Sequence, residues 1–141
     1  MISNLKPSDF DFWSSINTRW GDMDSLGHLN HTAYLSYMET ARVSAYSDLG
    51  FSGIRKDADE STILANMEVQ YHKQASHPDT LKIGHRICRV GGKSFDTLSA
   101  VFRDKDNELI CSALFKLVSF NYKINKTINV PDAIRKNCRV L

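Results

Sequence analysis

The stretch Trp20–Arg42, WGDMDSLGHLNHTAYLSYMETAR, decides how this chain is built. Its first half is polar and turn-forming, with Asp22, Asp24, Gly27, His28 and Asn30 close together. Its second half opens a helix. From about Thr32 to Leu49, the apolar residues Tyr34, Met38, Ala41, Ala45 and Leu49 recur at the spacing of one helical face, and Gly50 is placed to end the last turn. About 18 residues at roughly 1.5 Å each give a helix of about 27 Å. Asn30 or Thr32 supplies its N-cap through a side-chain oxygen. A helix start leaves backbone N–H groups unpaired at the positive end of a dipole, so a carboxylate and two imidazoles beside it form a candidate reaction site.

Working outward, Ser14 to Trp20 reads as a strand leading into the polar turn. After a polar connection from Ser52 to Ser61, Ile63, Ala65, Met67, Val69 and Tyr71 alternate with Asn66, Glu68, Gln70 and His72, the pattern of a strand with one buried face. Ser76–Asp79 makes a turn. Leu81–Val90, Phe95–Arg103 and Leu109–Phe120 read as further strands, joined at Gly91-Gly92 and at Lys105–Asn107. The last is nearly all apolar, as a strand covered on both faces is. One long helix followed by strands with no second helix between them predicts an α+β fold, in which the helix packs across one face of an antiparallel sheet of about five strands.

The 141 residues predict one domain spanning 1–141. A net charge of +2, with no arginine-rich run, argues against a nucleic-acid partner. Cys88, Cys111 and Cys138 are odd in number and far apart, so neither a disulfide framework nor a zinc site is predicted, and no metal is implied. No segment approaches the roughly 18 apolar residues of a membrane span, and the N-terminus lacks the apolar core of a secretion signal, so the expected location is cytoplasmic. From Lys116 onward Lys116, Lys123, Lys126, Arg135, Lys136 and Arg139 face Asp132 alone, a solvated tail or a surface for an anionic ligand.

These residues, taken together and in order, resemble the hot-dog-fold acyl-CoA thioesterases of the 4-hydroxybenzoyl-CoA thioesterase type. The resemblance rests on Trp20, Asp22-Met23-Asp24, Gly27-His28-Leu29-Asn30, Tyr34-Leu35 and Glu39-Thr40-Ala41-Arg42. It continues through Tyr71–Ala75, the Asp79 turn, Gly92–Phe95 and Val130–Asp132, and so covers nearly all of the chain. It implies a sheet wrapped around the helix, and a homodimer at least, with tetramers also common in such folds. It further implies hydrolysis of an acyl-CoA, with no cofactor.

Thioester hydrolysis needs a base or nucleophile at the carbonyl carbon and donors at the carbonyl oxygen. By resemblance Asp24 is the catalytic carboxylate, either attacking the thioester or activating a water. The amides of His31 and Thr32 are the expected oxyanion donors, and the His31 imidazole is placed to orient water or protonate the leaving thiolate. His28 and Asn30 rank second. Lys93, Ser94 and Arg89 are the candidates for coenzyme A phosphates, with Lys73 a further cation. Asp22 is expected to pair with Arg19 or Arg42, Glu39 to form an ion pair with Arg42, and His72, His77 and His85 to be surface residues. Other readings of the motif are an enoyl-thioester hydratase and a non-catalytic acyl-binding module, and acyl carrier protein is an alternative thiol carrier.

Overall fold

A computed structural model describes residues 3–51 and 55–141. In chain order the elements are β1 (Phe12–Asn17), α1 (His31–Asp48), β2 (Ser61–Tyr71), β3 (Thr80–Val90), β4 (Ser94–Arg103), β5 (Leu109–Asn121), β6 (Lys126–Thr127) and α2 (Asp132–Arg135). The strands form one sheet in the order β1-β3-β4-β5-β2, with β6 beside β5. Every pairing is antiparallel.

The long helix lies across one face of this sheet and packs mainly on β3, β1 and β4. Tyr34, Met38, Ala41 and Tyr46 meet Ile83, Ile87, Phe95, Val101, Phe115 and Leu117 in a single core. On the other face Phe10 covers Leu98, Ala100 and Phe102. Gly84 makes that cover possible, since a Cβ there would stand 2.5 Å from Phe10 Cγ.

The strand expected to run to Trp20 stops at Asn17. Thr18 turns toward the Asp79 loop, its Oγ1 accepting from the Asp79 amide at 2.8 Å, and Trp20–Asp22 then forms a 3-10 turn. α1 begins at His31 with Asn30 as its cap. β2 departs from the one-buried-face pattern. Leu64, Met67 and Tyr71 are 43%, 44% and 48% exposed, because β2 is an edge strand and α1 packs over β3, β1 and β4 instead. The connection expected from Ser52 to Ser61 lies partly outside the described residues.

A turn, a helix start and an edge strand form the candidate active site

The site is built on a closed turn. Met23 pairs with Leu29, and the Asp24 amide donates to His28 O at 2.7 Å. The Asp24 carboxylate completes the ring, its Oδ1 accepting from the amides of Leu26 at 2.8 Å and His28 at 3.1 Å. Gly27 occupies the left-handed region, φ +86, that lets the chain reverse here. Those two amides hold the Asp24 carboxyl below the usual carboxylate range, so it is ionised at neutral pH. With Oδ1 taken, Oδ2 is the oxygen left to act on a ligand.

Two neighbours hold the turn in place. Ala75 O accepts the Leu29 amide at 2.8 Å, and Ser76 Oγ donates to Gly27 O at 3.0 Å. Below it, buried Asp22 accepts from Tyr37 Oη at 2.6 Å and pairs with Arg19 at 2.9 Å. Arg19 and then Tyr37 lower the Asp22 pKa. Of the two partners expected for Asp22, Arg19 is the one used.

The turn faces the end of β2 across a cleft of about 240 Å³, lined by Asp24, His28, His31, Tyr34, Tyr71 and Lys73, among others. Tyr71 Oη donates to His31 O at 2.9 Å and ties the edge strand to the helix start. Asp24, His28 and His31 are thus brought to one place. Asn30 and Thr32 are not: they line a different depression beside Asn17, Arg19 and Tyr37. Asn30 Oδ1 takes the Thr32 amide at 3.0 Å, whereas no acceptor among the described residues takes the His31 amide. The two expected oxyanion donors therefore differ, and His31 carries the available N–H.

Arg89, Lys93 and Ser94 sit at the β3–β4 turn, the far end of β3 from Asp79. Eleven residues of strand separate the two ends, about 36 Å at roughly 3.3 Å each. Arg89 is also engaged, bound to Asp96 at 2.8 Å and to Ser94 Oγ at 3.0 Å. Within one chain these residues do not reach the cleft, while Lys73 does, paired there with Glu108.

Two further expectations are corrected, and a third is refined. Glu39 and Arg42 form no ion pair; Arg42 is buried, its guanidinium 5.0 Å from the Phe115 ring centroid. Its side chain turns under the helix, where aromatic packing takes the place of the surface carboxylate. His85 is fully buried beneath the helix with both ring nitrogens unpartnered, and burial lowers its pKa to about 3. Its strand parity, shared with Ile83 and Ile87, explains the burial. The basic C-terminal region is partly neutralised: Lys123 pairs with Asp59, Arg139 with Asp11, and Arg135 donates to Gly91 O. Among the described residues no cluster of His, Cys, Asp and Glu is arranged to hold a metal, and no helix is long and apolar enough to cross a membrane.

A family model for the Thioesterase-like superfamily matches residues 18–138, which include the turn, the helix and every strand from β2 to β6. The chain belongs to the Thioesterase-like superfamily. The thioesterase superposes on the PA2801 protein of Pseudomonas aeruginosa with a TM-score of 0.81 and 32% identity, over 89% of this chain and 95% of that one. It also superposes on a thioesterase from Thermus thermophilus, solved with coenzyme A and Zn, with a TM-score of 0.75 and 27% identity over 93% and 99% of the two chains. Long-chain acyl-CoA thioesterase FadM of Escherichia coli (strain K12) is 20% identical over 123 residues, 87% of this chain and 93% of FadM. The sheet wrapped on a long helix is the hot-dog fold of these thioesterases.

The resemblance through Tyr71–Ala75 implies no task for Tyr71. The pairing of Tyr71 with His31 joins residues 40 apart in sequence, so no local spacing signals it. Only the antiparallel course of β2 along the helix brings them together.

Proposed function

We propose that this thioesterase hydrolyses an acyl-CoA to a free carboxylic acid and coenzyme A, with Asp24 as nucleophile or general base and the His31 amide as donor to the carbonyl oxygen. The observation that carries the reading is the pairing, in one cleft, of an ionised carboxylate with one oxygen unengaged and a helix-start N–H with no acceptor. As the carbon–sulfur bond breaks, one oxygen from water joins the acyl carbon and a proton passes to the departing thiolate. In this reading the exposed His31 imidazole, which lines the cleft, is the donor. A preorganised amide at the developing oxyanion contributes about 2.7–4 kcal/mol to the transition state. Coenzyme A is favoured over a carrier protein because the C-terminal cations that would dock an acidic carrier are partly engaged within the chain.

The working unit in this reading is a homodimer joined along the exposed edge of β2. A two-fold axis normal to the sheet reverses strand direction, so the β3–β4 turn of a second copy, with Lys93, would approach the Asp24 end where the phosphates enter. Release of free thiol from a panel of acyl-CoAs tests the activity. Asp24→Asn is expected to lose it by about 10²-fold or more while remaining folded. Undiminished release by that variant would remove Asp24 from the mechanism, and a protein that sediments only as monomer would remove the shared site.

A further inference from the structure

The proposed reaction needs Asp24 and the His31 amide at a fixed separation, yet each stands on its own piece of backbone. Asp24 belongs to the closed turn, and His31 opens α1. Residues 71–76, the end of β2 and the segment just beyond it, bond to both. On the turn side, Ala75 O accepts the Leu29 amide at 2.8 Å and Ser76 Oγ donates to Gly27 O at 3.0 Å. These two bonds grip the turn on either side of His28, whose amide donates to Asp24 Oδ1 at 3.1 Å. On the helix side, Tyr71 Oη donates to His31 O at 2.9 Å. That carbonyl shares a peptide group with the Thr32 amide, which donates to Asn30 Oδ1 at 3.0 Å. A peptide group is planar, so holding it at both ends stops it from rolling. The His31 N–H, on the peptide just before, is then aimed by a helix start that is fixed in place.

Residues 71–76 are themselves anchored to the buried part of the sheet. Tyr71 lies opposite Cys111 on β5, and the amides of His72 and Lys73 donate to Ile110 O at 2.8 and 3.1 Å. Ile110 and Cys111 are fully buried. Arg103 Nη2 donates to Gln74 O at 3.2 Å, and the Tyr71 ring stands edge-on to Tyr34 at 5.8 Å between centroids. The end of β2 is thus the template, and the turn and the helix start lean on it. Ser76 is exposed and Tyr71 half-exposed. Water can replace either hydroxyl at its carbonyl, so removing one costs the fold little.

We propose that Tyr71 and Ser76 are positioning residues: through their hydroxyls, the end of β2 sets the separation between Asp24 and the His31 amide. This rests on the thioesterase reading above. Both hydroxyls are spent on backbone carbonyls and neither takes part in bond making. Their effect is on turnover. A thioester binds to a loosened site as well as to a rigid one, but the donor no longer meets the developing oxyanion at the distance that stabilises it.

The test measures kcat and KM for thiol release from acyl-CoAs by wild type, Tyr71→Phe and Ser76→Ala. Tyr122→Phe is the control, because it loses the same kind of bond, Tyr122 Oη to Thr62 O at 2.9 Å, at the opposite end of β2. Tyr71→Phe and Ser76→Ala are each expected to lower kcat about tenfold with KM changed by less than about twofold, and the control to keep the wild-type kcat. An unchanged kcat in either variant removes that residue from the proposal. An equal loss in the control overturns the whole of it, since any loosening of the edge strand would then suffice, and so does a rise in KM with kcat retained. If wild type releases thiol from no acyl-CoA, the thioesterase reading falls, and amide exchange followed by NMR decides the positioning. Tyr71→Phe is then expected to speed exchange of the Thr32 amide, and Ser76→Ala that of the His28 amide, by about fivefold or more. Wild-type exchange at both amides overturns the proposal.

Discussion

In the proposed reaction the two oxygens of Asp24 have separate tasks, and that separation makes its roles distinguishable. Oδ1 holds the turn through the Leu26 and His28 amides, a task that an asparagine oxygen performs equally well, so loss of activity in Asp24→Asn reports the charge and not the fold. The same amides lower the Asp24 pKa. A carboxylate so held stays ionised as pH falls past the ordinary value of 3.8, so kcat/KM is expected to show no loss from Asp24 between neutrality and about pH 4. A pH–rate profile checks this, and an acid limb at pH 5–6 belonging to this residue would contradict it. Asp22 is a support for the fold. Asp22→Ala would leave Tyr37 Oη buried without its 2.6 Å acceptor, at a cost of about 1–3 kcal/mol in denaturant unfolding. The Asp22 pKa is lower in the fold than in the unfolded chain, so its contribution is present above about pH 4 and lost as pH falls through the folded value. Asp22→Asn accordingly flattens the acid end of the stability profile.

At the scale of elements, close approach and capping decide where the sequence pattern holds. β3 and the Phe10 segment can touch only because residue 84 lacks a side chain. Gly84→Ala is expected to destabilise by about 1–3 kcal/mol, read as a shift in the denaturant midpoint without a change in slope, and a neutral result would mean that Phe10 moves freely. The helix was legible in the sequence because Tyr34, Met38, Ala41 and Ala45 obey its period, and all four are among its buried residues. Asn30 and Thr32 both looked able to cap it; the choice depends on the chain direction entering from Leu29, which the bond from Leu29 to Ala75 sets. The candidate site turn was legible as a cluster of residue types. Which of its members share a cleft was not, because Asn30 and His31, adjacent in sequence, line different depressions. His85, expected at the surface, is buried for a related reason: a polar residue in an alternating strand signals solvent by type, and only strand parity beneath the helix buries it.

That burial has a consequence for the whole molecule. His85 is neutral within the fold, its pKa lowered to about 3 by desolvation and then by Arg42, against 6.5 in the unfolded chain. As pH falls below 6.5 the unfolded chain takes up a proton that the folded chain refuses, so the contribution of His85 to stability is complete above 6.5 and declines until about pH 3. The slope from this one group approaches about 1.4 kcal/mol per pH unit, in a range above that in which Asp22 acts. Both ring nitrogens lack partners, and an apolar side chain there removes the proton linkage together with the unmet hydrogen bonds. His85→Leu is therefore expected to equal or exceed wild type in stability at pH 7, and to lose much less of it between pH 6.5 and 4, in unfolding measured across that range. A variant with the full wild-type slope would show that another group drives the acid transition, and one strongly destabilised at pH 7 would show that the imidazole is held by a bond to water beneath the helix.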